Sequence, residues 1–151
     1  MILEMLVYGV IALLVVTKLL DALSTEQVLT FSEWPYADKT VVVMSRKGVT
    51  IPEGLSEKVI ISSEAPVDLL NQLALRGVRQ VYIDGGQTIQ SFLREGLISE
   101  LNITTIPILL GSGRPLFGAF EADIHLKHIF TKAYPFGFVQ SRYLVAKASS
   151  N

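Results

Sequence analysis

The chain contains no cysteine, which removes disulfides, thiolate metal sites and cysteine nucleophiles and suits a reducing compartment such as the cytoplasm. Imidazole is scarce too, since His125 and His128 are the two histidines. Their spacing would serve a metal on a helix, but Ile124, Leu126 and the residues around them read as strand. There the two rings point to opposite faces, so no metal site is expected. Neither sign of charge dominates, with 13 Lys plus Arg against 14 Asp plus Glu and a net charge of −1. Without a basic cluster, no nucleic-acid partner is expected.

Long hydrophobic runs are also missing. Met5 to Thr17 carries no charge, but Glu4 and Lys18 bracket it, and a membrane span needs about 20 apolar residues. A signal peptide would start positive and end in a small-residue cleavage site, and neither is found. Residues 1–20 are therefore expected as a buried first strand or helix, and no membrane partner is expected.

What the chain does have is apolar substance. Half of its 151 residues are hydrophobic, enough for the core of one domain spanning residues 1–151. Ser24 or Thr25 suits the cap of a short helix, and Pro35 sets Phe31–Tyr36 as a loop. Trp34 and Tyr36 are expected as core anchors. Thr40–Ser45 and Val59–Ser62 read as buried strands, and Pro66–Arg76 as a helix with Gly77 as its stop. Val78–Ile83 reads as a strand, and a helix opens at Thr88 and stops at Gly96. Asn102–Leu109 reads as a further strand. Ile124–Tyr134 and Phe138–Ala148 alternate as an antiparallel pair joined through Pro135-Phe136-Gly137. This order predicts an α/β fold, a mostly parallel central sheet with flanking helices and a C-terminal antiparallel β-hairpin.

Two places suit an anion. A strand that runs through Asp84-Gly85-Gly86 into a helix start brings backbone N–H groups and a helix dipole against a phosphate. The same glycines also serve a tight turn for steric reasons alone. Ser45-Arg46-Lys47 lies at the carboxyl end of a strand, where ligands collect in open α/β sheets. A hydroxyl and two cations suit a phosphate there, although a solvated strand end would look the same.

Three linked blocks carry a resemblance. They are Asp84-Gly85-Gly86-Gln87, then Phe92-Leu93-x-x-Gly96-Leu97-Ile98-x-Glu100-Leu101, then Ile106-Pro107-Ile108-Leu109-Leu110-Gly111-Ser112-Gly113-x-Pro115-Leu116-Phe117. In this order the chain resembles the dihydrofolate-reductase-like family that includes the RibD C-terminal reductases, from about Glu26 to Lys147. The resemblance implies NADPH-dependent reduction of a small pterin- or pyrimidine-like heterocycle, of the riboflavin-pathway 5-amino-6-(5-phosphoribosylamino)uracil reductase kind or the dihydrofolate reductase kind. It implies that Gly85, Gly86, Gln87 and Thr88 take the cofactor pyrophosphate. Ser45, Arg46 and Lys47 would take the 2′-phosphate, and Leu110 and Gly111 would line the substrate pocket, while Pro115 and Phe117 brace the loop. The cofactor carries the hydride, so no catalytic triad is expected. Asp84 and Glu100 are the natural acids, and no catalytic residue is assigned. The family is usually homodimeric, and Ile129, Phe130, Phe136, Phe138, Tyr143 and Val145 give the terminal hairpin a surplus of apolar surface.

Residues 1–25 depart from the family. Its Ser-Leu-Asp-Gly-Tyr-Ile-Ala strand end is absent, and its Gly-Arg-x-Thr-Tyr-Glu motif falls on Asp21-Ala22-Leu23-Ser24-Thr25 ahead of Glu26. The degenerate code lets Leu20–Thr25 be encoded so that a shifted frame reads Gly-Arg-Leu-Glu-Tyr. As the chain stands, the alternative reading is a catalytically silent homodimeric domain of the same fold.

Overall fold

The structure is a computed structural model that describes residues 36, 39–47, 49–113 and 115–146. The expectations for residues 1–25 and for Trp34 lie outside the described residues. Those described gather into two compact units, one running to Ser91 and the other starting at Phe92.

In the first unit, β1 (Val41–Met44) and β2 (Val59–Ser62) pair in parallel, Val41 opposite Val59 and Met44 opposite Ser62. Val41, Val42 and Val43 are all buried. Consecutive apolar residues, rather than alternating ones, are what a parallel strand covered on both faces requires. Val41, Val43 and Val59 form a core against which Tyr36, Val49, Ile51 and Leu55 pack, so Tyr36 is the core anchor expected of it.

Helix α1 (Pro66–Leu75) starts with proline in its first turn and buries Leu69 and Leu73, one turn apart. It ends at Gly77, where φ is +83°. Gly77 N–H donates to Ala74 O at 2.9 Å and Val78 N–H to Leu73 O at 3.0 Å, the two bonds of a Schellman motif. Helix α2 (Gly86–Arg94) ends the same way at Gly96, with φ +65° and Leu97 N–H on Phe92 O at 3.0 Å. Both glycines expected as stops are stops because only glycine takes this backbone without strain.

The segment Val78–Ile83, expected as a strand, pairs with no strand among the described residues. Arg79 and Gln80 stay exposed, leaving Val81, Tyr82 and Ile83 to bury, with Tyr82 the most covered.

The second unit holds an antiparallel sheet in the order β3-β5-β4, from β3 (Glu100–Thr105), β4 (Leu126–Ala133) and β5 (Val139–Val145). The hairpin β4–β5 is the expected one, closed by Gly137 at φ +96° with its N–H on Tyr134 O at 2.9 Å. Among the described residues β5 is central and β3 and β4 are the edges, β4 being exposed along its whole length and interrupted by a bulge at Ile129. Strand β3 stops at Thr105 and does not reach Leu109. Ile106 turns the chain, Ile108 N–H donates to Ile106 O at 2.8 Å, and Pro107 has no N–H for a ladder. Across the sheet, Arg142 bonds Glu100 at 2.6 Å and Gln140 bonds Thr104 at 3.3 Å.

The chain is therefore mixed α/β, with parallel pairing in β1–β2 and antiparallel pairing in β3-β5-β4. Among the described residues no helix is long and apolar enough to cross a membrane.

Candidate functional site

Gly85 carries the local geometry of the candidate anion turn. Its φ is +87° and it is buried. Its carbonyl accepts the first intrahelical bond of α2, from Ile89 N–H at 2.9 Å. The amides of Gly86, Gln87 and Thr88 therefore precede the first bond of the helix, as helix geometry requires of a first turn. The positive φ belongs to Gly85 alone. Gly86 is the first helical residue and needs no glycine for its backbone.

Asp84 braces this turn. Its Oδ1 accepts the N–H of Gly85 at 2.7 Å. Burial raises the carboxyl pKa above its ordinary value, and the Gly85 N–H pulls the other way. Tyr36, on the core of β1 and β2, is pushed up to about 12, first by burial and then by the Asp84 carboxylate. Through Tyr36 the Gly85 turn is thus coupled electrostatically to the core beneath the two parallel strands.

Those strands end in hydroxyl-held turns. Ser45 N–H donates to Ser62 O at 2.9 Å. Ser45 Oγ donates to Lys47 O at 2.5 Å and accepts Lys47 N–H at 3.2 Å. Arg46 and Lys47 are exposed, and among the described residues neither makes an ion pair. Seven of the nine candidate residues, Ser45 to Lys47 and Gly85 to Thr88, belong to one unit.

Leu110 and Gly111 belong to the other unit. Leu110 is 65% exposed, and a Cβ added to Gly111 would meet nothing within 4 Å. A cavity of about 340 Å³ lies in the same unit, walled by Leu93, Leu101, Phe117, Phe120, Ile124 and Leu126, with Asp123 its one ionisable residue among those described. Neither Leu110 nor Gly111 lines it. The spacing of Phe117, Phe120 and Ile124 was the available signal for this cavity, and the reading of Phe117 as support is compatible with its place there.

The two histidines do not share a site. His128 Nε2 lies 2.8 Å from Thr131 Oγ1, with its ring edge-on to Tyr143. Among the described residues no three His, Asp or Glu side chains gather as metal ligands. The first unit thus holds the first turn of α2 and, at Arg46 and Lys47, two exposed cations that make no ion pair among the described residues.

The sequence model of the RibD C-terminal domain family matches residues 14–139. A candidate riboflavin biosynthesis protein from Shewanella sp. PV-4, solved as a crystal structure, is similar at 36% identity and a TM-score of 0.79, over 91% of this chain and 75% of that one. The diaminohydroxyphosphoribosylaminopyrimidine deaminase/5-amino-6-(5-phosphoribosylamino)uracil reductase of Thermotoga maritima shares the fold, with a TM-score of 0.66 at 15% identity, over 91% of this chain and 46% of that one. The uncharacterized protein YwjB of Bacillus subtilis (strain 168) is 30% identical over 102 residues, 67% of this chain and 57% of the relative. The chain spans about half the length of the curated relatives it matches. Its mixed α/β architecture is that of the RibD and dihydrofolate-reductase-like reductases, and the chain belongs to the RibD C-terminal domain family.

Proposed function

We propose that this chain is an NADPH-dependent reductase of a pyrimidine- or pterin-like heterocycle, of the riboflavin-pathway kind, acting as one cytoplasmic domain over residues 1–151. The observation that carries the reading is the turn at Gly85, buried at φ +87°, which opens α2 with the amides of Gly86, Gln87 and Thr88 ahead of its first intrahelical bond. The amides of Gly86 and Gln87 fit the cofactor pyrophosphate, and Thr88 follows them in the same turn. The exposed cations of Arg46 and Lys47 fit a 2′-phosphate, and arginine can bind it through two parallel N–H groups. The bound nicotinamide supplies the hydride. The chain's own residues hold the phosphates and set the charge around the turn. Asp84, half-buried and with raised proton affinity beside Gly85, is the acid best placed to hold a proton there. Leu110 and Gly111 are retained as the substrate wall, on the family resemblance.

The partner is a second copy of the chain. Strand β4 supports this as a bulged edge with Leu126, Ile129 and Phe130 exposed, since an apolar edge invites pairing or coverage.

The test is a fluorescence titration of the full chain with NADPH and NADH, repeated on Gly86→Val. The expected result is tighter binding of NADPH and its loss in the variant, whose helical backbone tolerates valine. NADPH affinity that survives Gly86→Val in a folded protein would overturn the site. The second reading, a silent domain, is favoured by Asp21 and Ala22 standing at the family's Gly-Arg positions. A dimer that binds neither dinucleotide is its signature.

A further inference from the structure

We propose that Ser45 sets the preference for a 2′-phosphorylated dinucleotide by holding the Arg46–Lys47 turn, without touching the phosphate itself. The inference rests on the cofactor reading above. A serine hydroxyl has one proton to donate. In Ser45 it goes to Lys47 O at 2.5 Å, and the same oxygen accepts Lys47 N–H at 3.2 Å. A phosphate oxygen needs a donor, and this hydroxyl has none left. Both of its bonds go to Lys47, so they fix the backbone that carries the two cations.

The clamp is anchored on the strand pair. Ser45 N–H donates to Ser62 O at 2.9 Å, one step beyond the pairing of Met44 with Ser62. Strand β2 ends in a related way, with Ser62 Oγ accepting Glu64 N–H at 3.2 Å. There the acid is engaged, because Gln72 of α1 bonds the Glu64 carboxylate. Of the two adjacent strand ends, one thus presents two cations without an ion pair among the described residues, and the other holds its acid on a helix. A turn fixed before binding loses less conformational freedom when the phosphate arrives. The gain applies to a ligand that reaches the turn, which distinguishes NADPH from NADH.

The experiment measures Kd for NADPH and NADH with the full chain and with Ser45→Ala and Ser45→Thr. The alanine change is repeated in a background carrying Arg46→Ala and Lys47→Ala, and amide hydrogen exchange is followed at Lys47 in the free proteins. Losing a hydrogen bond of this kind is expected to weaken NADPH about three- to tenfold, with NADH unchanged and threonine restoring the native value. Lys47 N–H should exchange faster in Ser45→Ala. In the background without the two cations, Ser45→Ala should cost nothing further, because a positioning residue acts only through what it positions. An undiminished cost in that background would make Ser45 a direct ligand and overturn the inference alone. A native chain that binds NADPH and NADH equally overturns the cofactor reading and this inference together.

Discussion

Asp84 and Tyr36 are coupled: the carboxylate that accepts Gly85 N–H at 2.7 Å is also a cause, after burial, of the rise of the Tyr36 phenol to about 12. An acid beneath a candidate phosphate turn looks contrary to function until its own proton affinity is considered. Burial raises it, so this carboxyl takes up a proton more readily than an exposed aspartate does.

Asp84→Asn separates these effects, since the amide oxygen still accepts Gly85 N–H while the charge goes. A carboxyl raised above its ordinary 3.8 stabilises the fold below that pH and loses the contribution as pH rises through the folded pKa. The variant should therefore be more stable than the native chain at neutral pH, with the gap closing toward pH 4. Tyr36 should titrate lower, moving from about 12 part of the way toward 10. Tyrosinate absorbance and urea melts at several pH values check both, and unchanged values in each would refute the coupling.

Gly85 and Gly137, like Gly77 and Gly96, are required by geometry. Alanine at Gly85 or Gly137 would sit at φ +87° or +96°, which costs an ordinary residue about 1–2 kcal/mol. At Gly137 the added Cβ would also lie 3.0 Å from Pro107 Cγ. Gly137→Ala should thus lower stability by at least that backbone cost. Thermal melts with equal midpoints for native and Gly137→Ala proteins would contradict the described hairpin turn.

The edge strand makes a separate claim. Ile129 occupies the bulge of β4 and is 43% exposed. Lysine there should leave the fold intact, because exposed edge positions accept charge, yet convert the proposed dimer to a monomer. Light scattering at micromolar concentration, beside an unchanged circular dichroism spectrum, is the measurement. A variant that stays dimeric removes β4 from the interface.

Much of this architecture was legible in local residue choices. Gly77 and Gly96 marked helix ends because the backbone there tolerates little else, and Val41–Val43 announced a strand covered on both faces. Pro107 is where local pattern and structure part: the apolar run through Leu109 suggests a continuing strand, but this residue has no N–H and lies just past Thr105, where β3 ends. Val78–Ile83 misled for a related reason, since hydrophobicity indicates burial and does not by itself supply a ladder partner. Through-space relations were out of reach. No spacing announces that Tyr36 meets Asp84. Nor could the triplet Ser45-Arg46-Lys47 reveal that its hydroxyl turns inward onto Lys47 while the cations stay exposed.

The last prediction concerns the departure at residues 21 and 22. In the family register, arginine is expected where Ala22 stands and glycine where Asp21 stands. An arginine at that place would add a charge-assisted contact to cofactor phosphate, and the present aspartate would repel it. Such a contact is worth about 1.5–3 kcal/mol, or about one to two powers of ten in affinity. The double change Asp21→Gly with Ala22→Arg should therefore strengthen NADPH binding by about ten- to a hundredfold. Much of the gain should disappear as ionic strength rises, because an exposed charge pair is screened within about 10 Å at 0.1 M salt. Titration of the double variant beside the native chain, at low and high salt, reads both effects. An unchanged NADPH affinity in a folded double variant would show that this segment does not face the cofactor. The departure from the family at residues 21 and 22 would then carry no weight for a silent domain.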